Sequence, residues 1–270
     1  MPELPEVETT IKGLYPLIGL KVYKVNIHTK KIRYIVPKGI TKIQEKSRIT
    51  NISRISKYIL INFSSNFSLI FHLGMSGRLK LLNNYKLKDK HDHLVISFQN
   101  SKFLIFNDPR RFGFVDFDET NIIYTRKYLS ILGIDALSNH LNNKYLSSKI
   151  NKSEVAIKQI LLNQQIIAGI GNIYASEILF ESRISPFKKG KDLQIQEINK
   201  LIISIRKILK KAIRYGGSSI RDYVSADGTV GNFQSNFKVY GKEGKKTSNC
   251  IIKKDIIYGR STYYCPKCQK

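Results

Sequence analysis

The first residues of the chain carry groups that could do covalent chemistry. Met1 precedes the small residue Pro2, a context in which the initiator methionine is commonly removed. Removal would leave Pro2 as a free secondary amine, and an α-amine has a reference pKa of about 7.7–8.0 against about 10.4 for lysine. About a tenth of this amine is unprotonated at neutral pH, so Pro2 is a candidate nucleophile toward a carbonyl-like carbon.

Two carboxylates stand next to this amine. Glu3 and Glu6 are three residues apart, so a helix would place them on one face, away from the apolar face of Leu4, Val7, Ile11 and Leu14. There they could serve Pro2 as acid, base or electrostatic support. The alternative is ordinary helix-start chemistry, because proline and acidic residues are common in a first turn.

The composition indicates a polyanionic partner. The 270 residues include 46 Lys and Arg against 20 Asp and Glu, a formal net charge of +26, and 42% of them are hydrophobic. This excludes a disordered or low-complexity chain and favours nucleic acid or an anionic membrane, with solubilising charge as the alternative. No apolar run, signal peptide or amphipathic segment favours a membrane. We therefore expect a cytoplasmic protein without membrane association.

Periodicity predicts the elements that position these groups. A helix is expected over 3–15, followed by β-type runs and then by helices, with Gly216 and Gly217 ending the last one. The predicted strands are 21–28, 57–63, 68–73, 93–98 and 103–107, and the predicted later helices are 153–163, 172–183 and 193–215. We expect a β domain over 1–130, a polar linker over 131–152, a helical domain with a long loop over 153–235, and a basic tail over 236–270.

The cysteines form a small cluster. Cys250, Cys265 and Cys268 all lie in the tail. An odd, clustered set favours a metal site in a reducing compartment over a disulfide framework.

Seven motifs, taken in their order along the chain, resemble those of the formamidopyrimidine-DNA glycosylases. These are bacterial base-excision repair enzymes with both glycosylase and lyase activity. The motifs span nearly the whole chain and read PELPEVET at 2–9, SKY at 56–58, HLGMSG at 72–77, KHDH at 90–93, DPRRFG at 108–113, GIGNIYASE at 169–177 and RSTYYCPKCQ at 260–269. The resemblance implies an α+β fold. It has an N-terminal antiparallel β-sandwich with a leading catalytic helix, then a helix-two-turn-helix DNA-binding domain that ends in a zinc-finger-like β-hairpin.

The resemblance also implies a reaction. Pro2 would attack C1′ of the damaged nucleotide, giving a Schiff base that permits β- and δ-elimination, and Glu3 would protonate the sugar ring oxygen. Lys57 would donate a proton in β-elimination, although an ordinary surface or phosphate-binding lysine is the alternative. Arg260 would grip phosphates and act in δ-elimination, because a guanidinium fork suits two phosphate oxygens.

Other motif positions are predicted to bind damaged duplex DNA. Met75, Arg110 and Phe112 match the trio that fills the gap left by a flipped base, whereas core packing is the alternative for Met75 and Phe112. Asn172 is expected at a helix N-cap that binds phosphate, or in a tight helix–helix connection. The further predicted DNA-binding residues are Glu6, His91, Arg111, Lys152 and, in the loop over the flipped base, Ser219 and Tyr223.

The tail departs from the family pattern of two C-x-x-C pairs, which is a tetrahedral zinc signature. Thr247 stands where the first of four cysteines is expected. One Zn²⁺ on Cys250, Cys265 and Cys268 and a metal-free hairpin are therefore equally weighted expectations.

The resemblance of the Met75, Arg110 and Phe112 trio to that of this family implies oxidised purines, 8-oxoguanine and formamidopyrimidines, as substrates. An endonuclease VIII-like enzyme for oxidised pyrimidines is one alternative, and a catalytically degenerate DNA-binding protein is another. We expect a monomer that associates with the bacterial nucleoid through DNA.

Overall fold

The computed structural model describes residues 2–44, 47–86, 88–218, 226, 231–247 and 250–270. They form two compact units, one of Met1–Ser130 with Tyr215–Asn232 and the other of Ile131–Arg214 with Phe233–Lys270. Each unit has its own buried residues.

The first unit opens with helix α1, Leu4–Leu14. Glu3 is the N-cap residue, and Pro5 lies in the first turn. Backbone N–H groups have no partner within the helix there, so proline costs no hydrogen bond. Leu4, Val7 and Leu14 are at most 1% exposed. The predicted apolar face therefore fixes the helix against the strands that follow.

Eight strands form two antiparallel four-stranded sheets with the orders β1-β6-β7-β5 and β2-β3-β4-β8. The two sheets enclose a shared core, in which Phe71 and Phe106 from different sheets meet edge to face at 5.5 Å. Two short helices follow, α2 at Thr120–Ile123 and α3 at Lys127–Ser130. The strands are β1 Val22–Ile27, β2 Ile49–Ile55, β3 Tyr58–Phe63, β4 Phe67–His72, β5 Arg78–Leu82, β6 Asp92–Phe98, β7 Phe103–Asn107 and β8 Phe114–Glu119.

This β-sandwich agrees with the predicted fold class, but three strands escaped prediction. β2, β5 and β8 each include exposed or half-buried charged side chains, such as Arg54, Lys80 and Asp116. Their apolar periodicity is weak because only part of each strand is buried. Strand pairing stabilises them instead: β2 pairs with β3, β5 with β7 and β8 with β4.

The second unit is built on helices and closes with short strands. β9 and β10 pair in parallel, β11 pairs with β12, and β13 pairs with β14 in a hairpin. Its elements are β9 Ile134–Asp135, α4 Asn143–Ile150, α5 Ile157–Leu162, β10 Ile167–Ala168, α6 Asn172–Ser182, α7 Ile195–Arg214, β11 Lys246–Thr247, β12 Cys250–Ile251, β13 Lys253–Ile257 and β14 Arg260–Tyr264.

Two details of this unit correct the sequence expectations. The polar stretch expected as a linker contains α4, whose N-cap Asn142 accepts a hydrogen bond from Tyr145 N at 2.9 Å and whose Leu146 and Ile150 are buried. Helix α6 has Gly171 as its N-cap, so Asn172 is its first helical residue and not its cap. In the part of the chain that is described, no helix is long and apolar enough to cross a bilayer.

Candidate active site

The amino end of α1 is held by a buried carboxylate. Glu6 is 2% exposed, and its Oε2 accepts from Glu3 N at 2.9 Å while its Oε1 accepts from Ser218 N at 2.7 Å. The Ser218 hydroxyl reaches the same Oε1 at 3.0 Å. Pro2 and Glu3 are themselves buried. Glu6 is thus placed to hold the first turn in position, and it has little surface to offer the DNA contact that was predicted for it.

Gly217 permits this arrangement. It adopts φ +75°, and a Cβ there would lie 2.9 Å from Glu6 Oε1. A side chain would therefore push the backbone of Ser218 away from the carboxylate. Sequence reasoning treated Gly217 only as a helix stop.

Lys57 lies in a two-residue turn rather than on a strand. The turn joins β2 to β3, with Ser56 in the left-handed region at φ 55°, and Lys57 is 6% exposed. Arg54 ties this turn to α1, because its Nε donates to Glu8 Oε2 at 2.7 Å and its Nη1 donates to Ser56 O at 3.0 Å. Helix α1, which begins two residues after Pro2, and the turn that carries Lys57 are therefore linked.

A neutral histidine lies close to this turn. Burial, together with the positive charges of Lys57 and Arg33, lowers the pKa of His72 from 6.5 to about 4. The His72 ring stacks on Phe114 at 5.5 Å, and Gly74 N donates to its Nδ1 at 3.2 Å. His72 thus accepts a hydrogen bond near neutral pH without adding a positive charge.

The predicted gap-filling trio is exposed in the first unit. Met75 is 43% and Phe112 45% exposed, and Arg110 Cζ lies 5.1 Å from the Phe112 ring centroid. Core packing therefore does not explain Met75 or Phe112. Arg111 is also exposed, and its φ of 55° lies in the left-handed region.

His91 is half-buried beside this group. Its N–H donates to Asp89 Oδ1 at 2.8 Å, and its carbonyl accepts from Asp108 N at 3.1 Å. Its backbone is therefore fixed next to the DPRRFG segment.

In the second unit, the Arg260 strand is held by a buried lysine. Lys158 is 0% exposed, and its Nζ donates to Ser261 O and to Thr262 Oγ1, both at 2.8 Å. Asn172 Nδ2 also donates to Ser261 O, at 3.0 Å. Arg260 itself is exposed, so its neighbours in β14 are anchored while its own side chain reaches solvent. Lys152 is exposed as well.

Two further contacts attach the tail. Glu177 accepts from the backbone N–H groups of Lys238, Val239 and Tyr240 at 2.8, 2.9 and 2.8 Å. Burial raises the pKa of Glu177, whereas these three hydrogen bonds favour its charged form. Gln269 accepts from Cys265 N at 2.8 Å and donates to Ile184 O at 2.9 Å.

The cysteines differ from the expected set of three thiolates. A disulfide joins Cys250 and Cys265, with Cα atoms 6.2 Å apart, and Cys268 has a free thiol. Thr247 pairs directly with Cys250 across β11 and β12. The described residues contain no group of three His, Cys, Asp or Glu side chains suited to a metal. This arrangement does not fit a tetrahedral zinc site, so zinc stays a prediction for this chain.

Ser219 and Tyr223 lie outside the described residues. The residues that sequence reasoning missed are buried polar ones, namely Ser76, Asp108, Lys158, Glu177 and Ser218. Three of them fall in quoted motifs, Ser218 directly follows the two glycines that end the last predicted helix, and Lys158 follows three apolar or small residues at the start of a helix. They were missed because the sequence alone does not show that these polar side chains are buried.

Comparison with known proteins gives full-length matches. A family model described as "Formamidopyrimidine-DNA glycosylase N-terminal domain" matches residues 1–115, and one described as "Formamidopyrimidine-DNA glycosylase H2TH domain" matches residues 132–224. The chain is 43% identical over 272 residues to the formamidopyrimidine-DNA glycosylase of Zymomonas mobilis, with 100% of both chains covered.

Solved structures agree with these matches. A Lactococcus lactis FPG mutant in complex with Fapy-dG containing DNA has a TM-score of 0.91 and 36% identity, and Lactococcus lactis Fpg with abasic-site DNA has a TM-score of 0.90 and 35% identity. Both alignments cover 100% of each chain. The predicted fold class is thereby confirmed.

The anchor on β14 can be tested by Lys158→Met. This change removes two buried hydrogen bonds from β14 while keeping an unbranched side chain, and we expect a local loss of about 1–3 kcal/mol. Hydrogen exchange of the β13–β14 amides should become faster. Lys144→Met, which alters an exposed lysine of α4, is the control. Unchanged exchange in Lys158→Met would contradict the anchoring role.

The lowered pKa of His72 predicts a pH dependence of stability. Its pKa is about 4 when folded and about 6.5 when unfolded, so acid protonates the unfolded chain first. This contribution is fully present above pH 6.5 and is lost as the pH falls to 4, by about 3 kcal/mol at most. Chemical denaturation of the wild type and His72→Gln over this range should show a smaller pH dependence in the variant. Parallel curves would refute the assignment.

Proposed function

Because this chain belongs to the formamidopyrimidine-DNA glycosylase family, we propose that it excises oxidised purines from duplex DNA and then cuts the strand at the abasic site. It is a base-excision repair DNA glycosylase. The proposed substrates are 8-oxoguanine and formamidopyrimidines. The proposed place of action is the bacterial cytoplasm, where the chain works as a monomer on nucleoid DNA.

The observation that carries the proposal is the hydrogen-bonded position of Glu3, the N-cap of α1 and the residue next to the buried Pro2. Glu6 holds the next residue, Glu3, by its backbone N–H and holds Ser218 by two hydrogen bonds. An amine attached to an anchored helix cap loses little freedom on reaction, which favours attack on a bound carbon. Removal of Met1 turns the Pro2 amide into the required secondary amine.

The chemistry follows from a secondary amine. The lone pair of Pro2 N attacks C1′ as the C1′–N9 bond breaks, and the base leaves with that electron pair and takes up a proton. Opening of the C1′–O4′ bond, with a proton delivered to O4′, gives a C1′ iminium. The iminium acidifies the C2′ proton, whose loss expels the 3′ phosphate, and a second elimination expels the 5′ phosphate.

Three further residues are assigned to these steps. Glu3 is 3% exposed and adjoins Pro2, which suits a proton donor to O4′. Lys57 is proposed to donate a proton during β-elimination, and its turn is tied to α1 through Arg54. Arg260 is proposed to hold phosphates and to act in δ-elimination, and the bonds from Lys158 to the residues after it support a fixed backbone there.

DNA binding is assigned to exposed residues of both units. We propose that Met75, Arg110 and Phe112 fill the gap left by the flipped nucleotide, which offsets part of the unstacking cost. The exposure of Met75 and Phe112 supports this role. The net charge of +26 supports strong, salt-dependent binding to phosphates. The remaining proposed contacts are His91, Arg111, Lys152, Asn172, Ser219 and Tyr223.

For the tail, we propose that the hairpin keeps its position without zinc. Thr247 replaces one of the four cysteine ligands of the family pattern, so only three thiols remain for a metal. The hydrogen bonds of Lys158, Glu177 and Gln269 hold the same segment to its own unit. Zinc bound by Cys250, Cys265 and Cys268 is the alternative, and no step of the reaction is assigned to it.

The nucleophile and the substrate class can be tested together. Untagged protein should cleave an 8-oxoguanine:cytosine duplex, whereas a version with an N-terminal tag should lose at least about a thousandfold in strand cleavage because it has no secondary amine. The same protein with a C-terminal tag is the control. Undiminished cleavage by the N-terminally tagged protein would refute Pro2 as the nucleophile.

The substrate class is tested by comparing the cleavage rates of two lesions. A thymine glycol duplex of the same sequence should be cleaved more slowly than the 8-oxoguanine duplex. A clear preference for thymine glycol would favour the endonuclease VIII-like alternative. Binding of both duplexes without cleavage of either, or of abasic DNA, would favour a degenerate binding protein.

Metal analysis tests the tail. Protein purified under reducing conditions should contain far less than one zinc per chain, and a chelator should leave its cleavage activity unchanged. Thr247→Cys restores the fourth thiol and should bring zinc close to one per chain. Cys268→Ser is the control for adventitious metal. Stoichiometric zinc in the unaltered protein, with activity lost on its removal, would overturn the metal-free proposal.

A further inference from the structure

Two neighbouring connections carry the exposed trio. The chain from β4 to β5, residues 73–77, crosses from one sheet to the other and carries Met75, and the chain from β7 to β8, residues 108–113, crosses back and carries Arg110 and Phe112. We call these the Met75 turn and the Phe112 turn. His72 pairs with Phe114 and Arg78 pairs with Asn107. The two turns therefore start and end on paired strands and cross side by side.

A buried carboxylate bridges the two turns. Asp108 is 0% exposed, its Oδ1 accepts from Ser76 Oγ at 2.5 Å, and its Oδ2 accepts from Gly113 N at 2.7 Å. Ser76 Oγ in turn accepts from Arg110 N at 3.1 Å. Ser76 belongs to the Met75 turn and Asp108 to the Phe112 turn. The hydroxyl of the Met75 turn is thus hydrogen-bonded both to the carboxylate and to a backbone N–H of the Phe112 turn.

Asp108 is fixed by its own backbone as well. Its N–H donates to His91 O at 3.1 Å, and its carbonyl lies 2.8 Å from His93 Nε2, whose Nδ1 contacts Thr29 Oγ1 at 2.9 Å. The bridge therefore rests on strand β6. Hydrogen bonds to a charged, buried acceptor are stronger than neutral ones, and losing one leaves a costly unpaired group.

The backbones of the two turns also touch. Gly74 has φ +62°, and a Cβ there would overlap Phe112 C and Gly113 N. A Cβ on Gly113 would lie 2.7 Å from His72 O. A side chain at Gly74 would therefore force the turns apart, and one at Gly113 would displace the end of β4.

The polar bridge lies beneath exposed tips. Ser76 is 5% exposed, whereas Met75 beside it is 43% exposed and Phe112 is 45% exposed. Neither Ser76 nor Asp108 is among the residues assigned to bond breaking. A buried network under exposed side chains fixes the backbone from which those side chains extend before any ligand arrives.

We infer that Asp108 and Ser76 are positioning residues that join the Met75 turn to the Phe112 turn, so that Met75, Arg110 and Phe112 enter damaged DNA as one rigid unit. This inference rests on the proposed function for its effect on catalysis, but the coupling between the turns is a property of the protein alone. The coupling lowers the ordering cost of filling the gap. It should matter most where a base must still be turned out of the helix.

The coupling is measured first without DNA. The chain has two methionines, Met1 and Met75, so methyl-labelled methionine gives few signals, and Met75→Leu identifies the Met75 methyl. Asp108→Asn, in the other turn, and Ser76→Ala should both shift this signal and narrow it toward that of a mobile side chain. Ser76→Thr, which keeps the hydroxyl, should restore it.

Catalysis is measured on two substrates. In single-turnover assays, Ser76→Ala should slow excision of 8-oxoguanine by about tenfold or more, while cleavage of a preformed abasic site changes by less than about threefold. Ser76→Thr should recover most of the loss. Ser68→Ala is the matched control, because Ser68 is a buried β4 serine bonded to Asn62 and Thr120 away from the turns.

The outcomes separate the inference from the proposed function. An unchanged Met75 signal in both Ser76→Ala and Asp108→Asn overturns the coupling, as does equal slowing by Ser76→Ala and Ser68→Ala. A shifted signal in a protein whose wild type cleaves neither substrate supports the coupling and contradicts the proposed function. If Asp108→Asn does not fold, Ser76→Ala and its threonine rescue decide the matter.

Discussion

A carboxylate removed from water must be given hydrogen-bond donors, and this constraint organises the amino end of the chain. Glu6 is almost fully buried, and its two oxygens are met by Glu3 N, Ser218 N and the Ser218 hydroxyl. These bonds fix the residue next to Pro2 and bring a segment from more than two hundred positions later against the start of α1. Gly217 leaves room for the carboxylate. The nucleophile assigned to Pro2 depends on this local order.

Buried ionisable groups with several hydrogen bonds occur at three other places in the chain. Asp108 joins the turns below Met75 and Phe112, Lys158 holds the strand of Arg260, and Glu177 ties residues 238–240 to α6. In each case the buried group is ionisable and makes at least two hydrogen bonds. Breaking one partner of such a group is costly, so these residues define geometry more strictly than apolar packing alone.

Much of the fold follows from sequence periodicity, and the exceptions have physical reasons. Helix α1 was predictable because Leu4, Val7, Ile11 and Leu14 repeat at helical spacing. Strand β2 and helix α4 were not, because charged and polar residues dilute their buried positions and tertiary pairing supplies the stabilisation. The family resemblance supplied the proposed site residues through their motifs. It assigned no role to Ser76, Asp108 or Lys158, since a polar residue in a sequence does not reveal whether it is solvated or buried. The pairing of Cys250 with Cys265 likewise depends on the tertiary fold.

The most direct test of the account is borohydride trapping of untagged protein on an 8-oxoguanine:cytosine duplex, followed by mass spectrometry of the cross-linked peptide. Hydride reduction converts the C1′ iminium into a stable amine, so the linkage records which nitrogen attacked. We predict a covalent adduct in which deoxyribose is attached to the nitrogen of Pro2 in a chain that has lost Met1. An adduct on Lys57 or on any other lysine, or no adduct with 8-oxoguanine or abasic DNA that the protein demonstrably binds, would contradict it.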